Sequence, residues 1–242
     1  MSGIHNASGS SSPSASRRPL RNRAAAGQKL AQALTEYVDQ PDVLVLGLPR
    51  GGVPLAYEIA KALHAPLDVF IVRKLGAPDQ AELAMGALAS GGIRVLNEDV
   101  IADLEIPEVW IERVVAKEQA ELNRRAQAYR GERPPLNVRD KIVLLVDDGI
   151  ATGATMRVAI AALRQQQPAK IIVAVGVAPE ETCALLANEA DELFCVLTPE
   201  PFWSVGAWFE DFTETSDEEV RRLLAQAAQN LAAFHQTPGS KR

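Results

Sequence analysis

The sequence predicts an α/β fold, a doubly wound parallel sheet with a small C-terminal aromatic hood. Three observations carry that prediction. Short apolar runs rich in β-branched residues recur at Val43–Leu48, Leu67–Val72, Val143–Val146, Lys170–Val177 and Glu192–Leu197, the pattern of strands buried on both faces. Stretches with apolar residues at helical spacing alternate with them, as a parallel sheet requires. Glycines, hydroxyls and charges gather where several of these runs end, and in open parallel sheets ligands sit beyond the carboxyl ends of strands, where the winding reverses.

Composition sets the outer bounds. With 242 residues and 47% hydrophobic content, the chain can bury a full core, and one domain over 21–242 is the simplest division. The longest apolar runs, such as Ile171–Ala178, fall well short of the roughly 20 residues that cross a bilayer, so no membrane role is expected. Cys183 and Cys195 have no metal-ligand spacing with the three histidines. Idle thiols in a reducing, cytoplasmic setting are the default.

Residues 1–16 hold seven serines, two glycines and a proline, too little apolar surface to order a chain, so a disordered tail over residues 1–20 is expected. The first 30 residues carry Arg17, Arg18, Arg21, Arg23 and Lys29 and no acid. Twenty basic residues then face 31 acidic ones in the remainder, a charge of −11. Such a start also fits an organelle transit peptide, while the acidic remainder argues against a nucleic-acid partner.

From about Arg21, Ala25, Leu30, Ala33, Leu34 and Val38 recur at helical spacing, and Pro41 closes the helix. Val43–Leu48 then runs into Pro49–Pro54, where Arg50 offers a fork of donors and Gly51 and Gly52 let the backbone approach an anion. An ordinary βα turn with a surface arginine has the same local pattern. Leu67–Val72 delivers Arg73 and Lys74, and Leu75–Ala81 is expected to be a loop, with Gly76 and Pro78 as its markers. Leu83–Leu88 and Ile93–Leu96, separated by Ser90, Gly91 and Gly92, predict a hairpin. Pro107 opens a long helix to about Tyr129, whose stripe of Ile111, Val114, Val115, Leu122, Ala126 and Tyr129 is scaffold or a homodimer surface.

Val143–Thr155 is the most informative stretch. Four apolar residues end in Asp147 and Asp148, and a small, hydroxylated turn follows before helical spacing resumes at Met156–Leu163. A loop that opens a helix points backbone N–H groups and partial positive charge at one place, which suits a phosphate. Carboxylates there would repel the phosphate. They can instead accept hydroxyl hydrogen bonds and help carry a hard cation such as Mg²⁺. A helix near Glu180–Ala190 and a terminal helix capped by Ser216 and Glu219 complete the alternation. Between them, Phe202, Trp203, Trp208, Phe209 and Phe212 fall within eleven residues. They form either a satellite core or flat faces for stacking a base.

The Val143–Thr155 stretch resembles the phosphoribosyl pyrophosphate (PRPP) signature of type I phosphoribosyltransferases, and Arg50-Gly51-Gly52 resembles that family's pyrophosphate loop. The resemblance implies that Asp147 and Asp148 hold ribose hydroxyls and, through them or through water, Mg²⁺. It gives the 5′-phosphate to Ala151, Thr152, Gly153, Ala154 and Thr155, and the pyrophosphate to Arg50, Gly51, Gly52, Arg73 and Lys74. Lys74 joins the two acids as a catalytic residue. Trp203–Glu210 more loosely resembles the base-binding hood of purine enzymes, with Trp203 stacking on the base and Glu210 or Asp211 close by. Ala151 departs from the 6-oxopurine branch, which has an aspartate there. The implied activity is Mg²⁺-dependent transfer of ribose 5-phosphate from PRPP to a nitrogenous base, in nucleotide salvage. The alternative is a non-catalytic PRPP sensor of the same fold.

Overall fold

The computed structural model describes residues 3–6, 18–78 and 80–236. Strands β1 (Gly3–Asn6), β2 (Val43–Gly47), β3 (Leu67–Val69), β7 (Ile142–Gly149), β8 (Lys170–Val177) and β9 (Glu192–Leu197) form one sheet in the order β1-β9-β8-β7-β2-β3, parallel at every pairing. From β2 the chain winds outward to β3, and from β7 it winds the other way through β8 to β9. The reversal therefore lies between β2 and β7. The predicted parallel sheet and its near-continuous apolar strands are present, with Val143–Val146 and Ile171–Val175 buried.

The helices lie on both faces. Leu30 and Leu34, from α1 (Arg23–Ala33) and its C-terminal cap, share one core with Leu55 and Ile59 of α2 (Gly52–Leu63) and with Val220 and Leu224 of α7 (Asp217–Gln236). Met156 and Ile160 of α5 (Ala154–Gln165) and Leu186 of α6 (Glu180–Ala187) fill the core on the opposite face. The long helix α4 (Glu108–Arg130) follows the short α3 (Glu98–Asp103). It buries Ile111, Leu122 and Tyr129 from its predicted stripe, and its Glu121–Arg125 pair is formed at 2.8 Å.

Two expectations about the strands are corrected. Leu67–Val72 is not a single strand: β3 ends at Val69, and Ile71 donates its N–H to Ser90 Oγ at 2.9 Å as the chain leaves the parallel sheet. The segment expected as a loop at Leu75–Ala81 instead continues β4 (Val72–Ala77), which pairs antiparallel with β5 (Gln80–Ala89) through register shifts at Gly76. An apolar run does not show a change of hydrogen-bonding partner, and Gly76 marks a bulge as readily as a turn. The predicted hairpin is present as β5 and β6 (Ile93–Leu96), with Gly91 and Gly92 at φ of 90° and 76°.

The tail is also corrected in part. Gly3–Asn6 pairs in register with Glu192–Cys195, and Leu20 is buried and bridged to Phe209. An exposed sheet edge offers unpaired backbone groups to a strand of almost any composition, so serine content could not reveal this pairing. Residues 7–17, most of the expected tail, lie outside the described residues.

Candidate active site at the strand switch point

The acid pair forms the end of β7. Asp148 donates its backbone N–H to Asp147 Oδ1 at 2.9 Å, and its own Oδ2 accepts from Arg23 Nε at 2.7 Å. Burial and the charge of Asp148 push the Asp147 carboxyl well above the ordinary carboxylate range, because both penalise a second negative charge there. The first loop lies directly against these acids. A Cβ on Gly51 would come within 2.1 Å of Asp148 Oδ2, and one on Gly52 within 2.4 Å of the Val146 carbonyl and 2.9 Å of Asp147 Cα. Only glycine permits that approach. The first loop and the acid pair therefore meet at the switch point.

The second loop opens α5. Gly153 caps the helix at φ 78°, and Ala151, Thr152, Ala154 and Thr155 around it are exposed to solvent. Thr182, buried on α6, donates its hydroxyl to the Ala151 carbonyl at 2.8 Å and sets its methyl beside Gly153. Asp147, Gly149–Met156 and Val205 line a concavity of about 280 Å³ above the helix N-terminus. Its first-turn N–H groups give that concavity partial positive character.

Residues 19–208 match the family model of the phosphoribosyl transferase domain. The chain belongs to the phosphoribosyl transferase family. A protein provisionally named a phosphoribosyl transferase in Mycobacterium tuberculosis, found in strains H37Rv and CDC 1551, is 44% identical over 211 residues. The match covers 87% of this chain and 47% of the mycobacterial protein, so the chain spans about half the length of the curated relatives it matches. The crystal structure of TT1426 from Thermus thermophilus superposes with a TM-score of 0.76 at 40% identity, covering 86% of this chain and 98% of that one.

Within this phosphoribosyl transferase fold the remaining predicted residues are spread more widely. Arg50 is exposed and ion-paired to Glu214, with Asp217 at 3.8 Å. Arg73 donates to Glu118 of α4 at 2.9 Å. Arg73 and Lys74 line a separate concavity with Val114 and Lys117, which shares no lining residue with the one at the acid pair. Trp203 is 79% exposed, and Phe209 is buried against Phe212 with ring centroids 5.1 Å apart. Glu210 is exposed and donates its N–H to the Leu20 carbonyl at 2.8 Å.

Sequence reasoning missed four participants. Val205 folds over the end of β7, where a Cβ on Gly149 would meet its Cγ1 at 2.3 Å. Thr182 braces the loop that opens α5, Glu214 engages Arg50, and Arg23 grips Asp148. Two left a trace in the sequence: Val205 lies within the Trp203–Glu210 stretch, and Arg23 is one of the cations in the acid-free start beside the helix cap Asn22.

Cys183 and Cys195 are both buried free thiols. Among the described residues no group of three His, Cys, Asp or Glu could hold a metal, and no helix is long and apolar enough to cross a membrane.

Proposed function

We propose that the protein transfers ribose 5-phosphate from PRPP to a nitrogenous acceptor and releases pyrophosphate. The observation that carries this reading is the contact of Gly51 and Gly52 with Asp147 and Asp148 at the switch point, beside a phosphate-sized loop at the start of α5. Within the protein, Asp147 Oδ1 accepts from the Asp148 N–H and Asp148 Oδ2 from Arg23. The second oxygen of each would accept one of the two vicinal ribose hydroxyls. Residues 151–155 would take the 5′-phosphate through N–H groups and threonine hydroxyls.

Arg50 would exchange Glu214 and Asp217 for pyrophosphate oxygens, a bidentate match for its fork. Lys74 and Arg73 would reach that anion only if β4 and its hairpin close toward the rim. As the acceptor nitrogen attacks the anomeric carbon, the bond to pyrophosphate breaks and its electron pair leaves with the pyrophosphate. The carboxylates then face the positive charge that develops on the ribose ring. Mg²⁺ takes few protein ligands and completes its shell with phosphates and water, so the hard oxygens of Asp147 and Asp148 suit it, and its charge would offset that of the pyrophosphate. Trp203 would give the acceptor a flat face, with Glu210 nearby. Ala151 provides no carboxylate to take the acceptor's proton, which disfavours 6-oxopurines.

The test is pyrophosphate release from PRPP and Mg²⁺ with a panel of purine and pyrimidine bases. Turnover with one base is expected, and the Asp147→Asn/Asp148→Asn double variant should lose PRPP binding while keeping its fold. PRPP binding without turnover on any base would favour the regulator. Wild-type affinity in the double variant would remove the ribose role from the acids.

A further inference from the structure

Arg23 is the first residue of α1, yet its side chain is only 11% exposed. Three contacts account for that burial. Nε donates to Asp148 Oδ2 at 2.7 Å, Nη1 donates to the Thr213 carbonyl at 2.6 Å, and the guanidinium lies 3.9 Å above the centre of the Phe212 ring. A planar cation with several fixed donors can hold a carboxylate, a carbonyl and an aromatic face at once, which an ammonium cannot.

The backbone around Arg23 is tied to the same segment. Leu20 donates its N–H to the Trp208 carbonyl, and Glu210 and Asp211 donate theirs to the carbonyls of Leu20 and Arg21. Asp211 also accepts from the N–H and hydroxyl of Thr213, which fixes the carbonyl that Arg23 grips. Phe212 stacks on buried Phe209, whose ring lies 3.2 Å from where a Gly176 Cβ would stand, beside the Asp148 carbonyl. The aromatic segment thus reaches the Asp148 carboxylate through Arg23, while Phe209 packs over Gly176 beside the Asp148 backbone.

We propose that Arg23 is a positioning residue that sets the orientation of the Asp148 carboxylate and couples it to the segment Trp208–Thr213. This rests on the PRPP reading, in which Asp148 takes a ribose hydroxyl. With Oδ2 held by Arg23, Oδ1 would be the oxygen left to accept the ribose hydroxyl. Movement of the aromatic segment on acceptor binding is carried to the ribose end of the site through one side chain.

The experiment titrates ribose 5-phosphate, and separately pyrophosphate with Mg²⁺, into the wild type and Arg23→Lys, with thermal unfolding measured for both. Lysine keeps the charge but cannot span both acceptors. Ribose 5-phosphate affinity is expected to fall about tenfold or more, the loss of one charge-assisted hydrogen bond. Pyrophosphate, which Arg50 would bind, should stay within about twofold. Hydrogen exchange across Trp208–Thr213 should slow on ribose 5-phosphate binding in the wild type and respond less in the variant. Unchanged ribose 5-phosphate affinity in Arg23→Lys overturns the role of Arg23 alone. An equal loss of both ligands with a collapsed melting temperature overturns it in favour of plain structural support. A wild type that binds neither ligand overturns the PRPP reading and takes this role with it.

Discussion

Asp147 shows at the scale of one residue what the site costs the fold. Its carboxyl is pushed well above the ordinary range by burial and by Asp148, so the folded protein holds that proton more tightly than the unfolded chain. A group raised in this way adds stability fully below its unfolded pKa of about 3.9, and the contribution is lost as pH rises through the folded value. As pH rises above the unfolded value, Asp147 therefore opposes folding increasingly. Asp147→Asn removes the titrating group while keeping an acceptor oxygen for the Asp148 N–H. The variant should melt above the wild type at pH 7.5, by about 2–4 °C for each kcal/mol recovered, and the gap should close as the pH falls toward 4. Melting curves across that range check the sign, and a wild type that melts higher at pH 7.5 would contradict the assigned cause.

Among the elements, the loop that opens α5 depends on Gly153, whose φ of 78° suits glycine and whose missing Cβ leaves 3.1 Å to the Thr182 methyl group. Gly153→Val would place a β-branched residue in the left-handed region, a cost of about 1–3 kcal/mol, and crowd the brace from α6. Ribose 5-phosphate affinity should fall about tenfold or more by titration, and an unchanged value would remove residues 151–155 from phosphate binding. This element was legible in the sequence because its signal is local, with apolar strand, acids, small residues and helix consecutive in the chain. The same holds for β8 and β9, whose ends match the apolar runs. Glu118 on Arg73 and Glu214 on Arg50 were not legible, since each joins residues far apart in the chain through side chains that no local spacing constrains. The split of Leu67–Val72 into β3 and β4 was hidden for a related reason: Ser90, which takes the N–H of Ile71, lies 19 residues away.

Over the whole molecule, the start of the domain and the aromatic segment meet beside the end of β7. Leu20 bridges to Phe209, and Val205 closes on Gly149, while Phe209 is buried in the core shared by α1, α2 and α7. Trp203 is not part of it. At 79% exposed, its ring contributes little burial, which decides against a core role and leaves a large flat face in solvent on the segment that covers the acid pair. If that ring stacks on the acceptor, Trp203→Ala should raise the acceptor KM by roughly one to two decades, from about 1–3 kcal/mol per stacked base. PRPP affinity should be nearly unchanged. Truncating a core tryptophan would instead cost about 3–5 kcal/mol and weaken every ligand together. Thermal unfolding and PRPP titration of this variant can be done before the acceptor is known. A melting temperature within about 2 °C of the wild type with intact PRPP binding is the expected result, and a large drop would return Trp203 to the core. Once an acceptor is in hand, an unchanged KM would leave the exposed ring without a part in base binding.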